Sequence, residues 1–284
     1  EFYTDRFKSL LNDDLLFSAN NSIIGKMIYL LRLARMKRGI VLISFSNYTN
    51  LPVTLAGYLC GRSSLGSHRS STTYALRHRG LIGKYSLLWP KKLLVNSKAA
   101  IEELKKYRDV STITYLPNAI ELFKNPVQIK LEYHSISIGT VKPEKRLDRL
   151  IDYCEFMSSQ ITDFQHVHLG DGKDLQELKK KTVLSGLDKN LKFAGKVENV
   201  SDFLSKSKLL VHFADHEGTP NVIMEAMLHG LPIISTNCGD AGQFVKNHIN
   251  GFIVAPFQGK LFWQLTYNLL SDDELRRKMG QESK

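Results

Sequence analysis

Six short strand-like runs, each followed by a helix-length segment, occupy the second half of the chain, and this alternation narrows the fold more than any other feature. The runs are Ser135 to Ile138, His166 to Leu169, Leu191 to Phe193, Leu209 to Phe213, Pro232 to Ser235 and Gly251 to Val254. Helices are expected near 144–158, 173–184, 199–206, 220–229, 240–247 and 259–280. Strands that alternate with helices pair in parallel through right-handed crossovers, so this half predicts an open α/β sheet. The first half has the same rhythm more faintly: an apolar run at Ile40 to Phe45, a helix-like stretch at Leu51 to Leu59, a strand at Leu93 to Val95 before a helix from Ser97, and a strand at Thr112 to Leu116. Residues 118–130 are polar, contain Asn125-Pro126 and read as a connector. Two Rossmann-like units are expected, 1–125 and 126–284, with a cleft between them.

A chain of 284 residues, 43% hydrophobic and 24% charged, can bury the cores of two such units and belongs to neither the disordered nor the fibrous classes. No apolar stretch reaches the ~20 residues of a membrane-spanning helix, because Lys26, Arg32 and Arg35 interrupt the one candidate, and nothing at the start reads as a signal peptide. Cys60, Cys154 and Cys238 are far apart, with no C-x-x-C spacing, which argues against a disulfide framework or a zinc site. A cytoplasmic protein, soluble or peripheral on the cytoplasmic membrane face, is expected. The chain opens at Glu1, without methionine and with no clear strand before Ile40, so the first unit is expected to be incomplete.

Charge is unevenly placed. Residues 1–130 hold 20 Lys and Arg against 8 Asp and Glu, whereas residues 131–284 hold 19 against 20. A basic half beside a neutral half suggests an anionic surface for one and a small molecule for the other. In Lys26 to Arg38, Ile28, Tyr29, Leu31, Leu33 and Met36 accompany Lys26, Arg32, Arg35, Lys37 and Arg38, a composition suited to an anionic membrane or to ordinary packing on the sheet. Lys84, Lys91 and Lys92, interleaved with Tyr85, Leu87, Leu88 and Trp89, could extend such a patch.

The densest motif is Glu217-Gly218-Thr219-Pro220-Asn221-Val222-Ile223-Met224-Glu225-Ala226-Met227. Gly218 lets the backbone approach a ligand, Thr219 suits a helix cap, and Pro220 suits the first helical turn. The helix start would then offer unpaired N–H groups and a positive dipole end to an anion, flanked by the carboxylates of Glu217 and Glu225. His166 and His168 share one strand face, a spacing that could hold a metal, but with no third ligand nearby they read as structural. His216, beside Glu217, is either a cleft residue or an ordinary loop residue.

Taken with Gly230-Leu231-Pro232, Cys238-Gly239-Asp240 and Asn250-Gly251-Phe252, this segment resembles the nucleotide-sugar half of family-4 retaining glycosyltransferases of GT-B fold (glycosyl transferases group 1). Further pieces stand in the family's order: Gly139-Thr140-Val141-Lys142-Pro143-Glu144-Lys145-Arg146-Leu147, Gly170-Asp171-Gly172, Phe193-Ala194-Gly195-Lys196-Val197, and upstream Val95-Asn96-Ser97-Lys98 and Leu116-Pro117-Asn118. The resemblance implies an α/β GT-B protein, two Rossmann-like domains with parallel sheets facing a central cleft. It implies donor contacts from Gly139, Thr140, Lys145 and Val197 and from Gly218, Thr219, Pro220, Asn221 and Val222. Glu225 would meet the ribose hydroxyls, and Glu217 would lie near the transferred sugar as a catalytic residue with Lys145. His68 and Arg69 fall in the segment that lines the acceptor side in relatives. Departures are Thr140, where many members have Arg, and Gln243, where Glu is common; Lys145, aided by Lys142 or Arg146, would then carry most of the diphosphate charge. The chain also stops before the terminal helix of relatives.

The expected activity is transfer from a UDP-sugar to a hydroxyl of a glycan or lipid-linked glycan. No Asp-x-Asp motif occurs, so no metal or other cofactor is expected. The alternatives are another GT-B enzyme, such as a sugar-nucleotide epimerase or a phosphorylase, a basic nucleic-acid-binding protein, or a chain that binds donor without turnover. No binding motif supports nucleic acid as a partner.

Overall fold

The computed structural model describes residues 23–36, 39–78, 80–120, 130–255 and 258–284. The order of elements is α1 (Ile23–Met36), β1 (Val41–Ile43), α2 (Asn47–Leu59), β2 (Ser63–His68), α3 (Thr72–His78), α4 (Gly80–Leu88), β3 (Lys92–Val95), α5 (Lys98–Leu104) and β4 (Ile113–Tyr115). There follow β5 (Ser135–Ile138), α6 (Arg149–Gln160), β6 (His166–Leu169), α7 (Leu175–Leu184), β7 (Leu191–Gly195), α8 (Val200–Ser205), β8 (Leu210–His212), α9 (Asn221–Leu228), β9 (Ile233–Thr236), α10 (Ala241–Phe244), β10 (Gly251–Val254), α11 (Gly259–Ser271) and α12 (Asp273–Ser283). Among the described residues no helix is long and apolar enough to cross a membrane.

Contacts gather the described residues into two compact units. The first comprises those within Glu1–His68, Arg79–Leu94 and Arg108–Thr114; the second comprises those within Arg69–His78, Val95–Tyr107 and Tyr115–Lys284. The expected division at residue 125 lies outside the described residues, as do Lys37 and Arg38 and the side chains of Lys26 and Met36.

The first unit is built on the sheet β1-β2-β3-β4. β2 was not expected from the sequence, because Ser63-Ser64-Leu65-Gly66-Ser67-His68 lacks an apolar alternation. It is a strand because small residues fit its tight surroundings: a Cβ at Gly66 would lie 2.8 Å from the Pro90 ring. Asn50 ties α2 to its neighbours, donating to the carbonyls of Ser67 (2.9 Å) and Ser86 (2.8 Å) while accepting from Ser67 N (2.8 Å). Leu30, Leu31 and Ala34 of α1 pack against Leu42, Val53 and Ala56. The apolar side of α1 therefore serves its own unit.

The second unit carries six parallel strands in the order β10-β9-β8-β5-β6-β7. From β5 the chain builds outward to β7, then crosses back to lay β8, β9 and β10 on the other side of β5. A ligand crevice forms at such a reversal, outside the carboxyl ends of the two central strands. The loops after β5 and β8 are Gly139 to Lys145 and Phe213 to Pro220, the segments singled out in the sequence. One sheet face is covered by a cluster including Tyr153, Phe164, Phe213 and Phe262, and the other by one including Ile136, Val167, Ile223 and Ile233.

Some element bounds differ from expectation. In place of a helix at 144–158 there is a single 3-10 turn, Pro143–Lys145, before α6, because Arg146 adopts a left-handed conformation (φ 51°). The helix expected over 240–247 ends at Phe244, as Asn250 turns back to accept from Lys246 N and donate to the Phe244 carbonyl. The helix expected over 259–280 is two helices, since Asp272 caps α12 by accepting from Leu275 N (2.9 Å).

Candidate functional site

Lys145 and Glu217 come from the two loops of the strand-order reversal and meet there in an ion pair. Both are largely enclosed. His212, the last residue of β8, sets its Nε2 3.5 Å from the same Glu217 oxygen. Burial by itself raises the Glu217 pKa, but the His212 imidazole and the Lys145 ammonium outweigh it and hold the carboxyl down at about 2. Glu217 is thus a fixed anion at the crevice. Beside it a cleft of about 290 Å³ is lined by Ser71, Thr73, Glu103, His216, Asn237 and Cys238 among others. Burial, and next the Glu217 charge, push the Cys238 thiol up to about 12, so it stays protonated.

The other cations of the first loop are already engaged. Arg146 donates to Asp148 and, at 2.7 Å, to Asp215 Oδ2, and Arg149 reaches Asp215 Oδ1 at 2.9 Å. Lys142 stands 3.8 Å from Glu144. The help expected from Arg146 in meeting a diphosphate is therefore offset by its two carboxylate partners.

Thr219 and Pro220 depart from the sequence reading of the helix start. Pro220 is itself the N-cap residue of α9 and not its first helical residue, and no side chain caps the helix. Thr219 Oγ1 turns away to share its one proton between the Asn96 carbonyl (2.6 Å) and Asp240 Oδ2 (2.9 Å). The close approach that Gly218 was expected to offer a ligand is taken by the chain itself: a Cβ there would lie 3.2 Å from the backbone of Arg69 and Ser70. Asn221 accepts from Asn118 Nδ2 at 2.5 Å, and the Asn118 oxygen accepts from Asn96 Nδ2 (3.0 Å) and Arg69 Nη2 (3.2 Å).

Glu225 lies on α9, partly buried, and burial raises its pKa. Val222 is partly buried on the same helix. Across the crevice, Gly139 is partly buried and Thr140 exposed. Val197, after β7, is partly buried against the cluster that holds Ile136 and Val167. His68 is fully enclosed in the first unit, its Nδ1 3.1 Å from Asn47 Oδ1, whereas Arg69 is exposed.

Two residues escaped the sequence reading. Asp240 is buried and accepts from Ser97 Oγ, Lys98 N and Ala99 N of α5 at 3.0, 3.0 and 2.9 Å, as well as from Thr219 and Gln243. A carboxylate one residue after Gly239 gives no local sign of a partner 140 residues away. His212 was more accessible to inference, since the last residue of a central strand beside a strand-order reversal faces the crevice.

A profile of the family described as "Glycosyl transferases group 1" matches residues 120–284. N-acetyl-alpha-D-glucosaminyl L-malate synthase of Bacillus anthracis is 22% identical over 191 residues, 64% of this chain and 50% of that protein. Poly(glycerol-phosphate) alpha-glucosyltransferase of Bacillus subtilis is 20% identical over 190 residues, 64% of this chain and 28% of that protein. The chain thus spans half or less of the length of these curated relatives. Among solved structures, TarM of S. aureus in a complex with UDP superposes with a TM-score of 0.81 at 18% identity, covering 91% of this chain and 54% of that one. HepE of Anabaena in complex with UDP-glucose gives 0.81 at 16% identity, covering 99% and 86%. The fold is the GT-B fold of glycosyltransferases. With more than half of its length matched by the family profile, the chain belongs to the glycosyl transferases group 1 family.

Proposed function

We propose that this is a family-4 retaining glycosyltransferase that moves a sugar from a UDP-sugar to a hydroxyl of a glycan or lipid-linked glycan. The observation that carries this reading is the meeting of Lys145 and Glu217 at the reversal of strand order, one turn before a helix that carries Glu225. The leaving diphosphate is met by the Lys145 ammonium and the N–H groups at the start of α9 (Asn221 and Val222), fixed charge and dipoles that act without reorganising. Gly139 and Thr140 lie along the diphosphate, Val197 borders the base, and Glu225 accepts from the ribose hydroxyls. Glu217, ionised and held by Lys145 and His212, stands against the transferred sugar, where positive charge develops. Arg69, which is exposed, is assigned to the acceptor side; His68, expected there with it, is fully enclosed and offers an acceptor no surface. No metal or cofactor takes part. The UDP and UDP-glucose complexes of structurally similar proteins support the choice of donor.

Calorimetry with UDP tests the donor site. Glu225→Ala and Lys145→Ala should each weaken binding by about one to two decades, since a lost charge-assisted hydrogen bond is worth roughly 1.5–3 kcal/mol. Because burial raises the Glu225 pKa, its carboxylate is lost on acidification at a higher pH than an ordinary glutamate's. UDP affinity should therefore decline early as pH falls, and Glu225→Gln should remove that decline. Unchanged affinity in both alanine variants overturns the assignment.

An anionic membrane is the proposed surface partner of the basic half, through α4. Leu81 and Ile82 are 70% and 71% exposed there and Tyr85 and Trp89 about half exposed, with Lys84, Lys91 and Lys92 exposed among them. Leu87, expected in this patch, is fully buried and drops out. Each lysine near an anionic leaflet contributes ~1 kcal/mol, screened over ~8 Å at physiological salt. Flotation should rise with anionic lipid content, fall with salt, and weaken in a Lys84→Ser, Lys91→Ser, Lys92→Ser variant. Equal flotation with neutral vesicles would assign the basic half to another partner.

A further inference from the structure

β5 and β6 carry Ser135, Ser137, His166 and His168 at alternate positions, and their register sets Ser135 opposite His166 and Ser137 opposite His168. A period of two puts all four side chains on one sheet face. Such a face in a covered parallel sheet is ordinarily apolar. Here it is a buried polar stripe, with Tyr153 of α6 laid across its outer end.

The contacts form one unbroken line. Tyr153 Oη donates to Ser135 Oγ at 2.8 Å, and Ser135 Oγ is 2.7 Å from His166 Nδ1. His166 Nε2 is 2.9 Å from Ser137 Oγ, Ser137 Oγ is 2.8 Å from His168 Nδ1, and His168 Nε2 is 3.1 Å from the Gly139 carbonyl. The direction of every bond follows from the last one. A carbonyl can only accept, so His168 Nε2 carries a proton. Burial holds both imidazoles neutral, pushing His168 down to about 4 and His166 well below its ordinary value, so each ring has one bare nitrogen. Ser137 then donates to His168 Nδ1 and accepts from His166 Nε2, and Ser135 donates to His166 Nδ1 and accepts from Tyr153. All groups are satisfied in a single sense, the condition under which a buried network rigidifies its surroundings.

That line ends on the first residue of the loop after β5. The rest of the loop is clamped as well: Gly139 N donates to the Leu169 carbonyl (2.9 Å), Val141 N to the Asp171 carbonyl (3.0 Å), and Gly170 (φ 141°) lies so close on the Gly139 carbonyl that any Cβ would overlap it. We infer that His168 is a positioning residue for the donor: its Nε2 proton, aligned by the chain from Tyr153 through Ser135, His166 and Ser137, fixes the Gly139 carbonyl and so the backbone of Gly139 and Thr140 against the diphosphate. This rests on the reading of that loop as the diphosphate loop.

Two substitutions separate positioning from mere structure. A glutamine amide reaches the place of Nε2 and keeps the bond to Gly139, whereas an asparagine amide reaches only the place of Nδ1 and keeps the bond to Ser137. His168→Gln should bind UDP within about twofold of the parent protein and His168→Asn about tenfold more weakly, the worth of one hydrogen bond, with similar losses in melting temperature. In the unsubstituted protein, histidine ¹⁵N shifts should report the Nε2–H tautomer for His168, and UDP should move that signal. Equal UDP affinity in the two variants, or the Nδ1–H tautomer, overturns the positioning role even where Lys145→Ala weakens UDP binding. Unchanged binding in Lys145→Ala removes the loop reading itself, and the role of His168 with it.

Discussion

Replacing Asp240 with alanine is expected to cost about 3–5 kcal/mol of folding stability, since hydrogen bonds to a carboxylate are worth roughly 1.5–3 kcal/mol each and several are lost at once. The Asp240 side chain is 1% exposed and gathers five donors, from Ser97, Lys98, Ala99, Thr219 and Gln243. Two of these are backbone N–H groups at the start of α5, which have no intrahelical partner and which the carboxylate also stabilises through the helix dipole. Without it, the Ser97 hydroxyl and both N–H groups lose their acceptor, while Thr219 keeps only the Asn96 carbonyl. At roughly 2–4 °C per kcal/mol for a chain somewhat shorter than this one, the melting temperature should fall by about 6–20 °C. Asp240→Asn keeps the shape and one acceptor oxygen and should lose roughly half as much. Chemical denaturation giving less than 1 kcal/mol for the alanine variant would mean that water takes over these bonds.

The contrast between Asp240 and the strands marks what the sequence could disclose. β8 to β10 were legible as short runs rich in apolar residues, and β5 and β6 from the Ile, Val and Leu at their alternate positions, because the covering of a parallel sheet is a local requirement on each strand. The loops after β5 and β8 were legible for a related reason: reversal of strand order brings them together, and they carry glycines (Gly139, Gly218) suited to close backbone approach, a cation (Lys145) suited to an anion, and a carboxylate (Glu217) to pair with it. Thr219 was misread because a threonine just before Pro220 fits a helix cap, and only the tertiary structure supplies Asn96 and Asp240 as stronger partners. β2 was invisible because its small polar residues answer to the Pro90 ring packed on Gly66 and not to any periodicity. The paired serines and histidines could be seen as a spacing, but their service as a hydrogen-bonded line depends on the β5–β6 register, which only the structure supplies.

The larger effect is expected in catalysis: Glu217→Ala should lower sugar transfer by about 10²- to 10³-fold, the range for removing one preorganised group from a transition state, while UDP binding changes far less. The separation follows from position. Glu217 pairs with Lys145 and His212 on the side of the crevice next to the 290 Å³ cleft, whereas Glu225 is on α9. Its charge is also secure against pH. The ordinary glutamate pKa lies above the folded value of about 2, so the stabilising contribution of the ionised form is complete above the ordinary value and is lost only as pH falls toward 2. Any loss of transfer on mild acidification must then come from another group, Glu225 among them. Lys145→Met removes one of the two groups that offset burial and leaves His212 alone, so the Glu217 pKa should rise and transfer should become acid-sensitive at a higher pH than in the parent protein. A transfer assay run in EDTA, with the product anomer read by NMR, tests the whole account. Activity that survives the chelator fits leaving-group stabilisation by Lys145 and the start of α9, and a product anomer matching the donor fits retention. Inversion would remove the family-4 assignment. Glu217→Ala with full transfer would show that the ion pair with Lys145 holds the loops together and does nothing to the sugar.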